Sequence, residues 1–266
     1  MGRSLAARIL SSKKPFTLFH TWTVTKGLLQ QAIAEHKSMD LDVCVDERGH
    51  PYLGHSQEYH EKSGEPYFKT MAIWEAVEMI AESDIVAMVD VKHYDAWPIV
   101  EEVVARIGAE RCLVCALVDE MKYAYGRQPD EPDFLTEWSP IQHLLSLKER
   151  HHGVTTTPCA KWSPVDLQSD LDPGMFYDLR QMLKAYRADT VCLGVPDDLV
   201  DDRLLRFFLN EGIIPHIMID RADTSRLTEI YVGETDYLER VSVSCIPEVQ
   251  TLTRERGDVA WQKPGS

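Results

Sequence analysis

Positive charge is what this 266-residue chain has least of: 28 Lys and Arg stand against 43 Asp and Glu, a formal net charge of -15. That deficit argues against nucleic acid as a bulk partner and against electrostatic docking on an anionic membrane. An anionic substrate must therefore be met by local positive charge, from a metal ion or a few placed Lys, Arg and His side chains. Long hydrophobic runs are also missing, and the longest fall well short of a transmembrane span. Residues 1–14 carry Arg3, Arg8, Lys13 and Lys14 with no acid, but lack the apolar region and cleavage site of a secretory signal. A basic N-terminal extension, a frayed helix or tail, is expected there. The six cysteines are scattered, mostly within apolar runs. Cys112 and Cys115 have C-x-x-C spacing, but residues 111–118 read as a buried strand, whereas a redox or zinc pair wants a loop or a helix start. Core thiols in a reducing compartment, the cytoplasm, are the expectation. No internal repeat stands out.

What is present is a hydrophobic fraction of 44%, ample for a sizeable core, in an alternating pattern. Strand-like apolar runs fall at 16–20, 39–45, 85–91, 112–118, 154–157, 190–195 and 213–219, with a weaker one at 230–233. Helix-like spacing of three to four residues marks 26–36, 71–82, 97–107, 134–148, 176–186, 198–209 and, briefly, 224–229. Strands that are apolar throughout are expected to be parallel and covered on both faces. The pattern predicts an α/β protein, a single-domain (β/α)₈ TIM barrel over residues 15–250, with a polar tail over 251–266. Two long polar connections, 55–69 and 119–133, have the length of functional loops.

The chemistry concentrates in Asp40-Leu41-Asp42, in His55, and in Asp90-Val91-Lys92. Alternate residues of a strand share a face, so Asp40 and Asp42 project together, as do Asp90 and Lys92. Taken singly, each motif reads as a solvated strand end or a surface ion pair. Together they close strongly apolar segments, where no solvated acid is needed to finish the pattern. Three carboxylates at the ends of adjacent strands suit one hard divalent cation, Mg²⁺ or Ca²⁺, and nearby histidines point to metal-assisted attack at phosphorus. The barrel reading also brings His20, Lys161, His216 and Asp220 to the same mouth.

The stretch from Asp40 to His55, with Gly49, Pro51 and Gly54 between, resembles the second-strand block of the glycerophosphodiester phosphodiesterase family of phospholipase C-like barrels. In that family an acid-x-Asp pair precedes "DG-x-P-V-x-x-HD". Asp90-Val91-Lys92 resembles its acid-x-Lys, and Thr235-Asp236-Tyr237 its last signature. The similarity spans residues 16–240 and is dense from Asp40 to Lys92. Three features depart from the family: Asp stands for Glu at positions 40 and 90, Thr21-Trp22 replaces an Arg-Gly, and a Glu-Asn-Thr segment is missing. The short loop between His20 and Asp40 is similar to that of the sphingomyelinase D branch.

The resemblance implies a hydrolase acting on a small phosphodiester or a lysophospholipid-type substrate, with a place in lipid metabolism. His20 and His55 would be the acid–base pair, because imidazole titrates near neutrality. Asp40, Asp42 and Asp90 would hold one divalent cation. Lys92 would steady the phosphate, with Lys161 standing in for the missing arginine. Trp162 or Tyr125 could line the pocket. The competing readings are a catalytically silent barrel that keeps the pocket as a binding module, and a different metal-dependent hydrolase on the same barrel.

Overall fold

The computed structural model describes residues 5–10, 16–19, 24–55, 70–117, 140–159, 183–184, 187–192, 208–219 and 228–231. In chain order the elements are α1 (Leu5–Leu10), β1 (Phe16–Phe19), α2 (Lys26–Ala34), β2 (Ser38–Val45), β3 (Pro51–Leu53), α3 (Ile73–Ala81), β4 (Ala87–Val91), α4 (Trp97–Ile107), β5 (Cys112–Leu117), α5 (Pro140–Arg150), β6 (Thr155–Cys159), β7 (Thr190–Cys192), β8 (Ile214–Ile219) and β9 (Thr228–Tyr231).

Helix ends follow local chemistry. Thr25 caps α2, its side chain accepting from the Leu28 amide. Pro98 opens the first turn of α4, where its missing N–H costs nothing, and Gly108 ends the helix at φ 102, a conformation that favours glycine. The buried residues of α3 are Ile73, Ala76, Val77 and Ile80, the three-to-four spacing of one apolar stripe.

The strands pair in a ring. β1 lies parallel to β2, β2 to β4, and the parallel run continues through β5, β6, β7 and β8. β9 then closes the circle, antiparallel to both β8 and β1. From His216 the pairing through Tyr231 and Phe16 arrives level with position 36 on the line of β2. The other way, through Cys192, Cys159 and Leu117, it arrives level with position 44. One circuit therefore slips the register by eight residues, the stagger of a TIM barrel. The fold is the expected α/β TIM barrel.

Two local expectations are corrected. The helix expected over 224–229 does not include its last two residues: Thr228 and Glu229 belong to β9, which runs antiparallel, and residues 224–227 lie outside the described residues. Only residues 220–227 separate β8 from β9. A parallel return needs a crossover of a dozen or more residues, so this link can make only a hairpin. The second correction concerns the N-terminus. Leu5, Ala6 and Ile9 of α1 are buried in one cluster with Leu18, Val86, Met88, Leu113, Cys115 and Ile214. These are inward-facing residues of β1, β4, β5 and β8, with Val86 just ahead of β4. Arg8 donates to the Glu110 carbonyl, just ahead of β5. Helix α1 thus plugs the barrel at the N-terminal ends of its strands. Arg8 stays exposed while the apolar face of the helix is consumed by the barrel interior.

The outward strand faces form a second, larger core with α2, α3, α4 and α5, built on Leu41, Val43, Val89, Val114, Val77, Val100 and Leu144. Arg111 ties this shell at its base, its guanidinium donating to the carbonyls of Ile80, Ala81, Ser83 and Ile107 at the ends of α3 and α4. Because α1 is part of the interior, Ile9→Ala is expected to lower unfolding free energy by about 2–4 kcal/mol, the usual cost of emptying a packed site. Urea denaturation followed by far-UV circular dichroism measures it, and a loss under 0.5 kcal/mol means the plug is dispensable.

Candidate active site

The alternation of β2 places Asp40 and Asp42 on the inner face, and register does the rest. Asp42 is the direct partner of Asp90 on the adjoining strand β4, and Asp40 that of Met88, a residue of the barrel interior. Asp40 and Asp42 are 1% and 4% exposed, so neither is a solvated strand end. Carboxylate oxygens of Asp40, Asp42 and Asp90 lie within 4.8 Å of one another. Oxygens sharing one hard cation at about 2.0–2.6 Å are at most roughly 5 Å apart, so this all-oxygen donor set fits one such ion.

Two positive or protonatable groups close on the same acids. The Lys92 ammonium sits 2.6 Å from Asp90 Oδ2 and 3.1 Å from Asp42 Oδ1, and His55 Nε2 is 3.1 Å from Asp42 Oδ2. Lys92 is aimed by its backbone, whose amide extends the ladder to the Val43 carbonyl. His55 is aimed by a hairpin that the sequence analysis did not resolve. After β2 a turn at 46–50, held by the Asp46 side chain accepting from the Arg48 and His50 amides, leads into β3 antiparallel to β2. Gly54 then takes φ 133, which favours glycine, and its amide donates to the Asp42 carbonyl. Tyr52 donates its hydroxyl to the His55 carbonyl, and Thr70 to that of Leu53. The "G-x-P…G-H" pattern is therefore a device that folds His55 back over Asp42.

Electrostatics follows from this crowding. Burial pushes the Asp90 carboxyl up to about 6, the Lys92 ammonium pulling it down and the Asp42 charge pushing it up again. Burial on its own would lower Lys92, but Asp42, Asp90 and Asp40 together hold it well above its ordinary value. Because Asp90 is raised in the fold, its contribution to stability is full below its ordinary value of 3.8 and is lost as pH rises through about 6. Asp90→Asn removes this titration. The stability of the wild type relative to that variant is expected to fall between pH 4 and pH 7, as measured by urea unfolding across that range. A difference that rises with pH contradicts the assignment.

The predicted residues divide clearly. Asp40, Asp42, Asp90, Lys92 and His55 are brought together. His20, Lys161, Asp220, Tyr125, Trp162 and the Thr235-Asp236-Tyr237 signature lie outside the described residues. His216 is fully buried on β8, two residues beyond Ile214 and so on the barrel's inner face. The interior also carries polar groups that the sequence reading passed over. Thr157 and Thr190 are buried and joined through their hydroxyls, and Cys159 lies close enough to Asp90 to raise its carboxyl slightly. The signal that could have found them is the alternation of strand β6, which puts Thr155, Thr157 and Cys159 on one face. Among the described cysteines, Cys44, Cys112, Cys115 and Cys159 are all free thiols. No helix among the described residues is long and apolar enough to cross a membrane. A separate groove of about 500 Å³ lies outside the barrel between α4 and α5, lined by Trp97, Glu101, His143 and Arg150 among others.

By sequence, no family model and no curated protein matches this chain. By structure, it superposes on a solved chain described as a glycerophosphoryl diester phosphodiesterase from Silicibacter pomeroyi. That match has a TM-score of 0.52 and 11% identity, and covers 80% of this chain and 86% of the other. A second solved chain, described as a glycerophosphodiester phosphodiesterase from Galdieria sulphuraria, gives a TM-score of 0.45 and 13% identity over 74% of this chain and 81% of its own. At such identities the first likeness establishes the fold, and the site has to be argued from its own residues.

Proposed function

We propose that this barrel is a metal-dependent phosphodiester hydrolase acting on a glycerophosphodiester or a related small or lipid-derived diester, of the lysophospholipid type. The observation that carries the reading is the convergence on Asp42. One buried carboxylate, within reach of two others, is met by both a histidine and a lysine at the C-terminal ends of barrel strands. That is where active sites of this fold lie. Asp40, Asp42 and Asp90 would hold a divalent cation, Mg²⁺ or Ca²⁺, which would supply Lewis acidity toward the phosphate. His55 moves a proton to or from an oxygen at phosphorus, and Asp42 orients its ring. Lys92 balances anionic charge. His20 is proposed as the second acid–base residue and Lys161 as a further phosphate contact.

The departures from the family pattern bear on substrate more than on reaction type. Lysine is the only cation among the described members of the site, so bidentate clamping of a phosphate by arginine is not part of the proposal. The test is release of p-nitrophenol from bis-p-nitrophenyl phosphate, with and without a chelator, followed by a diester panel read by phosphorus NMR. Hydrolysis abolished by the chelator and restored by Mg²⁺ or Ca²⁺ is expected. No turnover of any diester with either ion favours the silent binding module.

A further inference from the structure

The position of Lys92 has a consequence beyond holding phosphate. Its ammonium lies between Asp42 Oδ1 and Asp90 Oδ2 at 3.1 and 2.6 Å, donating a charge-assisted hydrogen bond to Asp90 and ion-pairing with Asp42, two of the three acids of the cluster. The side chain is 19% exposed and the two acids 4% and 14%, so solvent screens the trio poorly. A divalent ion held by the same carboxylates sits about 2.0–2.6 Å from their oxygens. It would then share carboxylates that the ammonium already holds, with both cations competing for their lone pairs. Such like-charge contact is strongly unfavourable where water is scarce.

We infer that Lys92 is a resident counter-ion that competes with the divalent cation for Asp42 and Asp90, so that cation entry and release of Lys92 toward a phosphate anion are one coupled event. The inference rests on the reading of the three acids as a cation site. Two features of the chain support it. Lys92 is tethered: its amide is fixed to the Val43 carbonyl, and only its side chain is left to swing. Aspartates at 40 and 90 keep their carboxylates close to their own strands, within reach of the ammonium that a longer acid could bypass. By linkage, whatever draws Lys92 away must tighten the cation, and the cation must tighten whatever binds Lys92.

The experiment is Mn²⁺ binding to the metal-free full chain, by calorimetry and electron paramagnetic resonance, for wild type, Lys92→Met, Lys92→Gln and Lys92→Arg, with and without inorganic phosphate. Neutral residues at position 92 are expected to tighten Mn²⁺ at least tenfold in the absence of phosphate, and Lys92→Arg to leave it near the wild-type value. Phosphate is expected to tighten Mn²⁺ in the wild type by a larger factor than in the neutral variants. Equal or weaker Mn²⁺ binding by both neutral variants, with the wild type still binding, overturns the counter-ion role and leaves the cation site standing. Absence of Mn²⁺ binding in every chain, with phosphate present, overturns the cation site and this inference together. The wild type gives a reading that depends on no variant. Reductive methylation of Lys92, followed by mass spectrometry, is expected to speed up several-fold at saturating Mn²⁺, and an unchanged rate overturns the inference.

Discussion

Replacing His55 with alanine is expected to lower turnover of an accepted phosphodiester by roughly 10²–10⁴-fold, the usual cost of losing a general acid or base. The geometry sets His55 apart from the surface histidines His36 and His50. His36 and His50 pair with acids on the exposed surface. His55 is 14% exposed and sits 3.1 Å from Asp42 Oδ2. Asp42 Oδ2 faces the ring at Nε2 and holds its orientation. Mn²⁺ affinity should change little, because His55 is not one of the three proposed ligands. A kcat within threefold of wild type on any accepted diester removes His55 from the mechanism, and the barrel would then share its fold, not its chemistry, with phosphodiesterases.

Asp42→Asn is expected to be the more damaging change, because Asp42 is the hub. Its two oxygens serve His55 and Lys92, and it neighbours Asp90 across the strand pair. Neutralising it removes one carboxylate from the cation cluster and the partner that orients the histidine. Divalent-ion binding should weaken by more than about 10²-fold, beyond the range seen for outer-shell partners of a metal site. Turnover should fall further than in His55→Ala. Lys92 keeps Asp90 at 2.6 Å, so the fold should survive with a loss of about 1–3 kcal/mol for the buried bond removed. Calorimetric titration with Mn²⁺ and thermal unfolding of the same preparation separate the two effects. An Asp42→Asn protein that binds Mn²⁺ as tightly as wild type shows that the three acids are not its site.

Much of this arrangement was legible in residue order. Apolar runs of strand length alternating with helical spacing gave the barrel, and the expected helix at 97–107 is the observed Trp97–Ile107, because Pro98 and Gly108 punctuate it chemically. The period of two in β2 and β4 placed Asp40 with Asp42 and Asp90 with Lys92, since a strand leaves no other choice. The antiparallel closing strand was not legible: a helix was expected at 224–229, and strand direction leaves no trace in periodicity.

Three matters were decided only by the tertiary structure. Residues 5–10 read as part of a basic extension because Leu5 and Ile9 are too few to announce a core. They become core only where the open base of a barrel offers an apolar cavity to fill. His55 is expected in acid–base work through the resemblance alone, and only the β2–β3 hairpin with the φ of Gly54 turns it onto Asp42. Lys92 reads as a strand-end neighbour of Asp90, and only the strand register that sets Asp42 beside Asp90 puts its ammonium between two carboxylates. Sequence specifies which side chains share a face, because that depends on neighbours along one strand. Which acid meets which cation depends on register between strands and on the path of a turn, and those are set by the closure of the whole ring.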